Sequence, residues 1–205
     1  MTAPTLAGAS LPAASSTDRK LTTEELDQAR LFLQQAQNAV LGATKRLSEV
    51  QWKFKPAPDR WSIAENLDHI VIVQERVLGP ILDQLAHAPA PPAGVDTGIV
   101  DAMVINCFPN RLAKFSAPEF VRPVDEISPV ELLDRMTANC NRMIERLESS
   151  RGLRGHAVDA PPLKAVSKGA FEVMDGYQWI LAAAAHTERH AKQMLEVMAE
   201  PGFPA

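Results

Sequence analysis

The sequence is poor in cysteine: Cys107 and Cys140 are the only two in 205 residues, and they form no Cys-x-x-Cys pair. A disulfide framework and a cysteine zinc site are thereby excluded, and two reduced thiols in a reducing cytosol is the plainer reading. Runs of Lys and Arg are missing as well. Twenty-one basic residues against 25 acidic ones leave a net charge of −4, without the basic footprint that nucleic-acid binding needs. The longest uninterrupted apolar run, residues 179–185, is far short of the roughly 20 residues that span a bilayer. Alternating apolar runs and Asn-Gly hairpin signals are nearly absent, so strands are not expected. Nucleophile-elbow, phosphate-loop and dinucleotide fingerprints are absent too.

What is present is apolar material for a core, 46% of the chain, which excludes a fully disordered protein. Residues 1–20 are rich in Ala, Ser, Thr and Pro and lack the basic start and apolar stretch of a signal peptide. They are expected to form a disordered tail on one domain over 21–205, in a cytoplasmic protein.

The 16 prolines divide the chain. Proline breaks helix hydrogen bonding, so long helices are confined to the Pro-free stretches 13–55, 59–79, 130–160 and 163–200. Each carries or follows a start signal: Thr22-Thr-Glu-Glu25, Ser62-Ile-Ala-Glu65, Ser128-Pro-Val-Glu131 and the weaker Asp175-Gly-Tyr-Gln178. The spacing predicts a first helix over about 23–50 with Leu26, Ala29, Leu33, Ala36, Val40 and Leu47 on one stripe. A second helix starts at Ser62, and Gly79-Pro80 should kink or end it. A third carries Leu133, Met136, Cys140, Met143 and Leu147. The fourth, over about 176–199, is apolar on more than one face, as suits the most buried helix of a bundle. Between the second and third lies a Pro-rich connection, residues 88–127, with room for a short helix over about 99–114. The expected fold is all-α: a four-helix bundle with a long crossover between helices two and three.

Chemistry points to histidine. His186-Thr-Glu-Arg-His190 places two imidazoles one turn apart on one helix face, where both can reach one metal ion. The same face carries Trp179, Ala182, Ala183, Gln193 and Val197, so the pair looks into the bundle. Taken alone, the pair reads equally as two ligands or as hydrogen-bonded core histidines. Thr187 stands where a zincin places its general base, which argues against a zinc protease of that type. His69, in Asn66-Leu-Asp-His69-Ile-Val, would complete a three-imidazole site if the second helix packs against the fourth. Three protein ligands with open positions are the arrangement of catalytic metal sites. Because ligand imidazoles must be neutral, occupancy of such a site is expected to fall as pH drops through about 6. His87 and His156 are read as exposed loop histidines.

The stretch Pro58-Asp-Arg-Trp61-Ser-Ile-Ala-Glu-Asn-Leu-Asp-His69 resembles the second-helix signature of the DinB/YfiT-like superfamily. The stretch Gln178-Trp-Ile-Leu-Ala-Ala-Ala-Ala-His186-Thr-Glu-Arg-His190-Ala-Lys-Gln193 resembles its last-helix signature, and the resemblance covers roughly residues 22–200. It implies a four-helix bundle with a divalent ion (zinc, nickel or iron) held by three histidines, which fall here on His69, His186 and His190. Family members include thiol S-transferases that use bacillithiol or mycothiol and a mycothiol-dependent isomerase, while many others carry the label of metal-dependent hydrolase. Fold and ligands transfer better than substrate.

Two activities follow. In the first, a metal-held low-molecular-weight thiol is the cosubstrate and is aimed at an electrophile, which needs no protein nucleophile and suits a chain without an evident nucleophile–base pair. In the second, a metal-dependent hydrolase, water needs a base, and Glu188 points away from the ligand face. A third reading is a metal-binding stress protein without turnover. Glu65, Arg76 and Arg189 are candidate substrate contacts, with solvated helix charges as the alternative. The expected partner is a small-molecule substrate, with neither nucleic acid nor membrane, and a homodimer is compatible with the sequence.

Overall fold

The computed structural model describes residues 20–112, 116–124, 126–149 and 151–205. The tail expected over 1–20 lies, but for Lys20, outside them. Helix α1 (Thr23–Ala43) begins at Thr22, whose hydroxyl accepts the Glu25 N–H while the Glu25 carboxylate accepts the Thr22 N–H. These reciprocal bonds satisfy two donors that a helix start leaves orphaned. Its buried stripe is Ala29, Leu33, Ala36, Val40 and Ala43. The helix stops seven residues earlier than the periodicity suggests. Arg46 turns into the left-handed region at φ 62°, and Ser48 caps a separate short helix, α2 (Glu49–Lys53), through a capping box with Gln51.

The second long helix starts as α3 (Ile63–Val73) behind the Ser62/Glu65 capping box. Gly79-Pro80 does not end it. A π-helical turn, Gln74–Leu78, carries the chain into α4 (Gly79–Gln84), and the Gly79 N–H donates five residues back to the Gln74 carbonyl. The wide turn makes room for Pro80, which has no N–H to donate and crowds the carbonyl four residues before it. The crossover contains α5 (Thr97–Cys107), capped by Asp96, and a 3₁₀ turn at Glu119–Val121. Helix α6 (Pro129–Ser149) follows, with the Ser128 hydroxyl accepting the Glu131 N–H and Leu132, Met136, Cys140, Met143 and Leu147 buried. Leu133, expected on that stripe, is only partly buried beside it.

Strands, unexpected from the sequence, do occur. β1 (Ala157–Asp159) and β2 (Val173–Asp175) pair antiparallel around α7 (Pro161–Val166). At three residues each they are too short to leave an alternating signature. Their register brings Ala157 opposite Asp175, the residue that caps α8 (Gly176–Met198) through a full capping box with Gln178. Gly176 admits no side chain: a Cβ there would lie 2.2 Å from Leu85 Cδ2 and 2.8 Å from Leu153 Cδ2.

The fold is a four-helix bundle of α1, α3, α6 and α8. Helix α1 packs on α8 and α6, and α3 packs on the same two. The first and second long helices are therefore diagonal partners, and α3 lies against α8 as the histidines require. Two apolar clusters fill the bundle. One surrounds Tyr177, Ile180 and Leu181, and the other gathers Leu67, Ile70, Met136 and Met194. On α8 the first cluster ends at Ala185 and the second begins at Ala191; His186, Thr187, Arg189 and His190 form a polar waist between them. Among the described residues, no helix is long and apolar enough to cross a membrane.

Candidate metal centre

The waist holds three imidazoles that two local rules place. His186 and His190 are one turn apart on α8, and His69 projects from α3 two turns beyond its cap. Their ring centroids stand 4.5–5.0 Å from one another, and their ligand atoms all lie within 4.8 Å of each other. His69 Nε2 and His186 Nε2 are 3.2 Å apart. Two nitrogens bound about 2.0–2.1 Å from one tetrahedral ion stand about 3.3 Å apart, so this spacing fits a shared ion.

The opposite ring nitrogens explain why the right atoms face inward. His69 Nδ1–H donates to the Val121 carbonyl at 2.6 Å, and that acceptor leaves the Nε2 lone pair for the centre. His190 Nδ1–H donates to Asn66 Oδ1 at 3.0 Å. The Asn66 amide cannot present its other end, because its Nδ2 donates to the Ser62 carbonyl at 2.8 Å. His186 Nδ1 is buried with no acceptor among the described residues. Trp61 covers the cluster from one side, its ring 4.7 Å from His69 and 5.9 Å from His190.

All three imidazoles are held neutral, as ligands must be. Burial lowers His69 most, against the opposing pull of the Val121 carbonyl and Asp68. His186 falls to about 3, through burial and then through His69 and Arg189. His190 falls well below the ordinary value for the same first reason, with His186, His69, Arg111 and Arg189 adding to it. The consequence has a definite sign. In metal-free protein the unfolded chain takes up protons below about 6.5, whereas the folded triad resists them. Stability contributed by the triad is thus complete above about 6.5 and is lost as pH falls toward 3. Chelated protein is expected to lose melting temperature steadily between pH 7 and 4, with a shallower slope in His186→Gln, as thermal scans at matched ionic strength will register.

The other candidates from the sequence are occupied elsewhere. Glu65 serves the Ser62 cap and pairs with Lys55 at 2.7 Å. Arg76 is exposed and donates to the Phe120 carbonyl at 3.4 Å. Arg189 is buried and donates to the Asn110 carbonyl. Glu188 pairs with Lys192 at 2.7 Å. His156, read as exposed, is half-buried and bonded to the Ala88 carbonyl at 2.6 Å, while His87 is exposed as expected. Asn66 and Val121, which bond the back nitrogens of His190 and His69, were not singled out from the sequence. Asn66 had a signal, since it sits one turn before His69 on the same face.

A comparison with family models matches residues 33–194 to the DinB superfamily. The chain belongs to the DinB superfamily. No curated protein matches it significantly. Among solved structures, this DinB chain is similar to YfiT from Bacillus subtilis, described as a probable metal-dependent hydrolase with an unusual four-helix bundle topology. The match has a TM-score of 0.58 at 10% identity and covers 93% of this chain and 100% of YfiT. At that identity the likeness is one of fold, and the three-histidine cluster rests on this chain's own geometry.

Proposed function

We propose that this DinB-superfamily protein is a metal-dependent enzyme in which His69, His186 and His190 hold one divalent ion (zinc, nickel or iron), and that it transfers a low-molecular-weight thiol to an electrophilic small molecule. One observation carries the reading: three neutral imidazoles converge where neighbouring carboxylates are already engaged. Glu65 and Glu188 are ion-paired, Glu75 is clamped by Arg135, and Asp68 accepts the Val124 N–H at 2.7 Å. A nucleophile that arrives with its own reactive atom suits such a site better than water, which must shed a proton to a base. A bound divalent ion would supply the positive charge that favours thiolate over thiol at neutral pH. The protein's part is to keep the imidazoles neutral and oriented, and to shield the His69 and His190 rings with Trp61. In the transfer, sulfur forms a bond to the electrophilic carbon, chloride leaves with the bonding pair, and the thiol proton passes to solvent. With an epoxide, the ring oxygen takes the pair and then a proton.

A second reading, metal-dependent hydrolysis, draws on the fold likeness to YfiT. The two are separated by incubating metal-loaded protein with a chloro- or epoxide-bearing model compound and bacillithiol, mycothiol or glutathione. Thiol-dependent turnover that drops at least about 100-fold in His69→Ala is expected. Ester or amide hydrolysis without thiol, lost in the same variant, would instead establish the second reading.

A further inference from the structure

The crossover reaches His69 of the metal centre at residues 118–124, where two adjacent residues of α3 fasten it. His69 Nδ1–H donates to the Val121 carbonyl at 2.6 Å, and the Val124 N–H donates to Asp68 Oδ2 at 2.7 Å. Within the strap, the Val121 N–H donates to the Pro118 carbonyl at 3.1 Å and the Arg122 Nε–H to the Ala117 carbonyl at 3.3 Å. Val121 is 4% exposed and seated against α3, whereas Phe120 and Val124 on either side are more than half exposed. The strap is thus held to α3 by polar contacts and one buried side chain. Asp68 itself is 1% exposed, a buried carboxylate whose bond secures this segment.

We propose that Asp68 is a positioning residue for the metal centre, acting through the strap: by holding Val124 it keeps the Val121 carbonyl on His69, which fixes that imidazole with Nε2 toward His186 and His190. The proposal rests on the triad holding an ion and adds a route by which the loop controls it. An imidazole without an acceptor on Nδ1 can turn or carry its hydrogen on the other nitrogen, and then presents no lone pair to the ion. Binding free energies are reciprocal. If a closed strap tightens the site, an ion bound at the site must tighten the strap by the same factor.

The test uses the full chain, stripped with chelator and titrated with zinc, together with amide exchange of Val121 and Val124. Zinc is expected to slow exchange of both amides in the wild type. Asp68→Ala is expected to weaken zinc binding at least about 10-fold. Asp68→Asn keeps an oxygen for the Val124 N–H and should bind zinc within about 3-fold of wild type. Val124→Pro removes the donor while leaving Asp68 in place, and because Val124 is exposed the change spares the core; it should weaken zinc as Asp68→Ala does. Wild-type zinc affinity in Asp68→Ala would overturn the proposal. So would equal losses in Asp68→Asn and Asp68→Ala, which would assign the effect to charge, or a normal affinity in Val124→Pro. Zinc that binds without slowing the strap amides would overturn the proposal alone, whereas a wild-type protein that binds no zinc would overturn the metal reading with it.

Discussion

Purified His190→Ala should retain less than about a tenth of the divalent ion found in the wild-type protein, because it removes one of three ligands and leaves Asn66 Oδ1 without its donor. Wild-type protein prepared without chelator is expected to hold about one ion per chain. His190 is the sharpest probe of the triad because it is buried and its back nitrogen is already committed. A water entering the vacated space would meet a region walled by Trp61 and the two remaining rings, a poor substitute for an imidazole ligand. His156→Ala is the matched control. Its Nδ1–H also donates to a backbone carbonyl, that of Ala88, but it lies outside the cluster, and its removal should cost about 1 kcal/mol of stability with no loss of metal. Metal analysis of the three proteins decides the matter, and equal ion content in all three would return the histidines to a purely structural role. Burial keeps the imidazoles neutral to lower pH than free histidine, so the ion should be retained through pH 6, below the point expected for an exposed site.

The largest effect on stability is expected from Arg154→Ala, about 3–5 kcal/mol. The Arg154 side chain is 4% exposed and bonds three carboxylates from separate parts of the chain: Glu25 at the start of α1, Asp101 of α5, and Asp175 at the cap of α8. Its guanidinium also lies 4.0 Å from the Tyr177 ring centre, and the Tyr177 hydroxyl donates to the Glu25 carbonyl or Gln28 Oε1, both at 3.0 Å. Burial alone would push the guanidinium toward neutrality, but Asp101 and Asp175 overcome it and raise its pKa above the ordinary value. Burial raises Asp175, against the pull of Arg154. Truncating the arginine therefore leaves acidic groups facing each other with little water to screen them. Melting temperature should fall by about 10 °C, and by less in acid, where Asp175, raised by burial, takes up a proton more readily than an ordinary carboxylate. Arg154→Lys should recover only part of the loss, since one ammonium cannot serve three carboxylates in the geometry of the guanidinium fork. A loss under about 1 kcal/mol in Arg154→Ala would show that the network offsets only its own desolvation.

Local rules carried much of the fold. Thr22, Ser62, Ser128 and Asp175 each start a helix because a side-chain oxygen three residues before a free N–H is a relation within one turn, readable from sequence spacing. The i, i+4 placement of His186 and His190 is equally local, and the apolar faces of α1, α6 and α8 follow from period alone. Apolar periodicity overruns the end of α1, continuing through Leu47 while Arg46 and the Ser48 cap break the backbone. β1 and β2 leave no local signal, because their pairing joins segments 14 or more residues apart.

By itself, then, the sequence determined the capped starts of the four long helices and the His186/His190 pair, since each depends on neighbours within a turn or two, whereas His69 joins that pair only because α3 packs on α8. Tertiary structure alone decided that α1 and α3 are diagonal, that Arg154 gathers three distant carboxylates, and that Val121 and Asn66 orient the imidazoles. The physical reason is plainest at Val121. Its contribution is a backbone carbonyl, which every residue possesses, brought to His69 across 52 positions by the course of the crossover. No side-chain identity marks it, so only the folded chain reveals it.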